Sequence, residues 1–274
     1  MADRRPSHKS RNQRGGSGWR PDVGAARHCD AQLVAGQPLD TATNDLGRAW
    51  FAGACGLLAF VTFNAGWIAA DLAQPQAFSP ARDDISDLGA LTASSPWLYN
   101  QLAANLSGLL VIALGIGVWL ALSPSRLGRV GAAAVIVAGA GTFLDGTFRL
   151  DCQGIDVACT NNSWHSQAHK IESASTVGAI FIAFLALALA LRRTATWRDT
   201  WIPMLAALPS IFVANIAFSS IGDGAATRAG TVVVFSALGF LGVRLIQKTR
   251  LVGTRHTTPV LERERRDSNP RPRA

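Results

Sequence analysis

Residues 102–122 read LAANLSGLLVIALGIGVWLAL and carry no charged side chain. A helix rises 1.5 Å per residue, so about 20 apolar residues match the ~30 Å hydrocarbon core of a bilayer. A helix lying on a water-soluble core shows a polar face on every turn, and this stretch does not. The pattern recurs on both sides of it. Residues 50–70, 173–191 and 200–222 are also free of charge; residues 130–148 carry only Asp145. Residues 229–246 carry only Arg244, close enough to the end for its long side chain to reach the interface. The fold class that follows is all-α: a polytopic transmembrane helix bundle of about six spans.

Composition leads to the same place. Hydrophobic residues make up 49% of the chain and charged residues 16%, and the charges crowd between the apolar runs. The first run, from Trp50, is longer than the apolar core of a signal peptide and lacks a cleavage-like end, so it reads as a retained span. Residues 1–48 and 249–274 are basic and rich in Arg, Ser, Pro and Gly, the composition of disordered tails flanking a transmembrane domain at 49–248.

The net charge of +8 raises the question of nucleic acid. The C-terminal Glu262-Arg263-Glu264-Arg265-Arg266-Asp267 is mixed in sign and has no aromatic side chains for stacking on bases. Solvated tails touching anionic lipid account for such charge, so no nucleic-acid partner is expected; the lipid bilayer is. Of the 26 Lys and Arg residues, 22 lie in residues 1–48, in residues 244–274 and in the loops around Arg126/Arg129 and Arg192/Arg193/Arg198. The alternate loops hold only Arg82, Arg149, Lys170 and Arg228. By the positive-inside rule both termini are cytoplasmic, N-in and C-in, in a multi-pass protein of the cell membrane.

That topology gives every intramembrane polar residue a depth. Asn64, Asn105, Asp145, His165, His169, Glu172 and Asn215 all fall in the outer half or at the outer rim. Polar groups at membrane depth are costly unless they face the bundle interior or water, which makes them candidates for a site. Their shared depth points to one polar, outward-facing cavity, with Asn64, Asp84, Ser86, Asp87, Asn105 and Asn215 as binding candidates. The bland account of the Asn residues is interhelical hydrogen bonding worth ~0.6 kcal/mol each.

His165-Ser166-Gln167-Ala168-His169 followed by Glu172 is the densest constellation. On a helix, offsets of four and seven bring these three side chains to one face. Two imidazoles and a carboxylate suit a divalent metal such as zinc, with Asp145 and Asp151 as further oxygen ligands or general bases. The competing account is a rim of partly solvated, hydrogen-bonded residues. Cys152 and Cys159 share one outer loop, where a disulfide is the first expectation and a Cys₂His₂ zinc site the second. The acidic loop Asp83-Asp84-Ile85-Ser86-Asp87-Leu88-Gly89-Ala90, before the second long span, is suited to cap the cavity or meet a cation.

Pro80 followed by Ile85-Ser86-Asp87-Leu88-Gly89-Ala90 resembles a family of bacterial and archaeal membrane proteins, domain of unknown function 998. Phe148 to Asp151, and His165 to His169, are similar to the family's aromatic-then-Asp stretch and its H-x-x-x-H start to the fourth span. Leu150 stands where that pattern has Pro. The resemblance covers about residues 49–248 and implies a six-span membrane fold without an assigned activity.

Two readings follow. In one the chain is a small-molecule or lipid-binding or accessory membrane protein. In the other it is a zinc-dependent hydrolase at the outer leaflet, with His165 and His169 on the metal and Asp145, Asp151 or Glu172 as catalytic groups. Alternating-access transport is disfavoured because the inner half of the bundle is almost free of polar residues.

Overall fold

The computed structural model describes the backbone of residues 39–267 and the side chains of residues 47–249. The chain divides into two compact units, Met1–Ala42 and Thr43–Ala274. Apart from residues 39–42, the first lies outside the described residues; the second carries the fold. Among the described residues there are six long helices: α1 (Leu39–Leu72), α2 (Leu98–Leu122), α3 (Arg126–Asp145), α4 (Trp164–Arg193), α5 (Trp201–Ser219) and α6 (Asp223–Asp267). No strand occurs among the described residues. All six are long and apolar enough to cross a membrane.

The helices match the six apolar runs and differ at their ends. α4 starts at Trp164, ahead of its apolar run, because Ser163 caps it: the hydroxyl accepts from the Ser166 amide at 3.2 Å. Its first turns are amphipathic, burying Ser166, His169 and Glu172 on one face. The backbones of α1 and α6 run into stretches 1–48 and 249–274, and the rest of both tails lies outside the described residues. The first turns of α2, Leu98–Leu106, are π-helical, a rare geometry that sequence periodicity does not announce.

Each helix packs on its successor in chain order from α2 to α6, and α6 also touches α2. α1 closes the ring. Its Phe63 stacks on Phe235 of α6 with ring centroids 3.9 Å apart, and its Gly66 lies against the Ala103 backbone of α2. Small residues set these spacings, since lipid offers no hydrophobic drive between helices. A Cβ on Gly139 would come within 2.9 Å of the Gly108 carbonyl oxygen, and one on Gly53 within 2.6 Å of the Gly242 carbonyl oxygen. Outward-facing Leu58, Leu109, Ile116, Val137, Ile182 and Ile216 are exposed, as fits side chains whose solvent is hydrocarbon.

At one end of the ring the loops interlock. The short turn Ile85–Gly89 buries Leu88 completely, and Asn100 Nδ2 at the start of α2 donates to the Gly89 carbonyl at 3.0 Å. Gln153 reaches over from the α3–α4 loop, its Nε2 donating to Gln74 Oε1 at 2.9 Å and to the Asp87 carbonyl at 3.2 Å. Gly222, at φ +152° in a region closed to most side chains, turns α5 into α6 so that Ala225 N donates to the Ala81 carbonyl at 2.9 Å.

Candidate functional site

Because the helices alternate in direction, the late turns of α1, α3 and α5 and the early turns of α2, α4 and α6 meet at that same end. Together they enclose a cavity of ≈ 960 Å³ to which all six helices contribute. Its walls are mostly apolar, with Phe63, Ile180, Phe181, Phe212, Val234 and Phe235 prominent; among its polar groups Asp145, His169 and Glu172 cluster together. This is the usual make-up of a small-molecule site: apolar lining with a few placed polar groups.

The polar group is tightly built. His169 is 6% exposed, and its Nδ1 lies 2.9 Å from the Phe148 carbonyl, 3.4 Å from Asp145 Oδ1 and 3.8 Å from Glu172 Oε1. A carbonyl only accepts, so in the neutral ring the proton sits on Nδ1. Ser173 Oγ donates to Glu172 Oε1 at 2.9 Å and Thr176 Oγ1 to Oε2 at 3.3 Å. Tyr99, buried at the start of α2, stands beside Asp145 in the cavity lining.

The other candidates divide. Asp84, Ser86, Asp87 and Asn215 line the cavity. Asp84 Oδ1 accepts from Thr227 Oγ1 at 3.2 Å, and Asn215 Nδ2 donates to the Ile211 carbonyl in its own helix at 2.8 Å. Burial pushes the Asp87 carboxyl up to about 6, and its acidic neighbours Asp84 and Asp83 add to the rise, while the Gly154 amide hydrogen bond opposes it. Asn64 lies outside the lining; its Nδ2 donates to the Phe60 carbonyl and its Oδ1 accepts from Trp67 Nε1. Asn105 also lies outside it, with its amide beside the Asn100 and Phe143 carbonyls.

His165 and Asp151 do not join the polar group. His165 is exposed, its ring 3.6 Å from that of Trp164. Asp151 Oδ2 accepts from Ser163 N at 2.9 Å, which steadies the start of α4; the Ser163 side chain first, and this backbone bond second, hold the carboxyl below the ordinary value. The Cys152 and Cys159 sulfurs lie at disulfide distance, with Cα atoms 6.1 Å apart. Asn161 Oδ1 accepts from the Asp151 and Cys152 amides at 2.8 and 3.0 Å inside that loop.

Sequence reasoning passed over Tyr99 and Arg228. Tyr99 is the chain's only tyrosine, but its π-helical setting has no sequence signature. Arg228 counted as an external loop charge, yet it is buried against Asp71. An acid ending α1 and a base opening α6, at one membrane level, were the available signal.

A family model described as protein of unknown function, DUF998, matches residues 55–244, more than half of the chain. No curated protein and no solved structure matches.

Proposed function

Taking as premise that the chain belongs to the DUF998 family, we propose that it is a membrane protein that binds a lipid or lipid-like amphiphile, tail against the apolar wall and headgroup at Tyr99, Asp145, His169 and Glu172. The observation that carries this reading is one mostly apolar cavity whose lining includes the compact polar group of Asp145, His169 and Glu172. A second feature favours a ligand that arrives from the bilayer. Val177 of α4 and Phe212 of α5 line the cavity and are also 54% and 57% exposed on the flank of the bundle. Phe181 and Phe212, with ring centroids 5.3 Å apart, bridge these two helices at that flank. An amphiphile passing between α4 and α5 keeps its tail in apolar surroundings throughout.

The basic asymmetry supports a cell-membrane protein with both termini in the cytoplasm and the cavity end outside. The hydrolase reading draws its support from the proximity of Asp145, His169 and Glu172. It is the narrower claim, because it requires a metal as well as a ligand.

The test is co-purification. Protein extracted in mild detergent is examined by native mass spectrometry and its released lipids are identified. The expected result is one amphiphile per chain in wild type and much less in Val234→Trp, which fills the cavity wall. Folded wild type that carries none, or Val234→Trp that carries as much as wild type, defeats the proposal.

A further inference from the structure

We infer that Asp145, His169 and Glu172 bind one divalent transition-metal ion of the zinc type at the polar end of the cavity. The inference rests on the binding reading above and names what the occupant's headgroup would meet. One ligating atom from each residue lies within 4.8 Å of the other two. Zinc takes nitrogen and oxygen ligands at about 2.0–2.2 Å, so ligand atoms around it stand ~3.3–3.6 Å apart. The two distances from His169 Nδ1, 3.4 and 3.8 Å, are already near that spacing.

The donor types select the metal class. Calcium and magnesium prefer all-oxygen shells, whereas an imidazole beside carboxylates suits zinc and its neighbours. The supporting shell is in place as well. Ser173 and Thr176 each hold one oxygen of Glu172, and Tyr99 stands beside Asp145. Such outer partners orient ligating side chains and raise metal affinity. With metal on Nδ1, the ring proton resides on Nε2, and the Phe148 carbonyl oxygen, 2.9 Å from Nδ1, stands by as a fourth donor.

Charge argues the same way. Two largely buried carboxylates, 8% and 15% exposed, sit together at the end of membrane-spanning helices. An unneutralised pair there is expensive, and a divalent ion balances both at once. With the three side chains as ligands, the fourth position would fall to the Phe148 carbonyl or, displacing it, to an anionic oxygen of a headgroup, whether phosphate or carboxylate. His165 and Asp151 are outside the ligand set.

The experiment uses the full chain in detergent, stripped with chelator and titrated with Zn²⁺ in a chelator-buffered series. The expected result is one Zn²⁺ per chain with a raised melting temperature. Affinity should fall by about 10-fold or more in His169→Gln and Glu172→Gln, and stay unchanged in His165→Ala and Asp151→Asn. Wild type binding well below one ion, or His169→Gln and Glu172→Gln binding as tightly as wild type, overturns the inference. Should those variants not fold, Co²⁺ bound to wild type decides: a visible spectrum of mixed nitrogen–oxygen coordination supports the site, and its absence overturns it. Amphiphile content is read on the same samples. Amphiphile without metal binding defeats the metal site alone, and metal binding by protein that carries no amphiphile defeats the binding reading alone.

Discussion

Arg228 holds Asp71 with two nitrogens, Nε donating to Oδ2 at 3.0 Å and Nη2 to Oδ1 at 2.8 Å. The pair joins the end of α1 to the start of α6, which closes the helix ring. Nη1 donates to the Asp83 and Gly224 carbonyls at 2.7 and 3.1 Å, and the guanidinium lies near the rings of Trp67 and Phe78. One side chain therefore ties together two helices and the acidic loop at the cavity mouth.

Both partners are about nine-tenths buried, so losing one leaves a desolvated charge. Asp71→Asn or Arg228→Gln should cost about 3–5 kcal/mol, and replacing both with Leu and Met should recover a large part of it. Thermal or denaturant unfolding in detergent checks this. An Asp71→Asn variant that melts with wild type would show that the pair contributes nothing to closure.

Asp87 gives a pH prediction. Its ordinary value of 3.8 rises to about 6 in the folded protein, chiefly through burial. The folded form thus holds the proton more tightly than the unfolded chain. The contribution of this group to stability is fully present below pH 3.8 and is lost as pH rises through about 6. Asp87→Asn cannot lose it, so the variant should gain on wild type between pH 4 and 7 by on the order of 2–3 kcal/mol. A constant difference in melting temperature across that range would refute the assignment.

Topology can be read directly. Reporter fusions at Arg126, Ala195 and the C-terminus should report cytoplasm, and fusions at Ala93, Asp156 and Ala225 the outside. The motive is the clustering of 22 of 26 basic residues on one set of loops and tails. A C-terminal fusion found outside would reject the orientation, and with it the placing of the cavity toward the outer leaflet.

The six-helix membrane fold and the family were legible in the sequence because both rest on local signals. A charge-free run long enough to span hydrocarbon must satisfy its backbone internally, which makes it a helix whatever its neighbours do. The motif at Ile85-Ser86-Asp87-Leu88-Gly89-Ala90 is likewise a contiguous string.

The composition of the polar group was not legible in the same way. Sequence placed His165, His169, Asp145, Asp151 and Glu172 at one depth, because alternating spans fix depth. Depth leaves the rotation of each helix about its axis open, and that rotation decides which side chains meet. Helix packing points His169 and Glu172 inward with Ser166, leaving His165 outside against Trp164. The capped turn at Ser163 takes up Asp151. The π-helical start of α2 brings in Tyr99, which no periodicity argument could supply. Hydropathy is a property of single segments and survives any arrangement of them. Contact between side chains on different helices depends on the close approach that glycine pairs such as Gly108 and Gly139 permit, and only the packed bundle decides it.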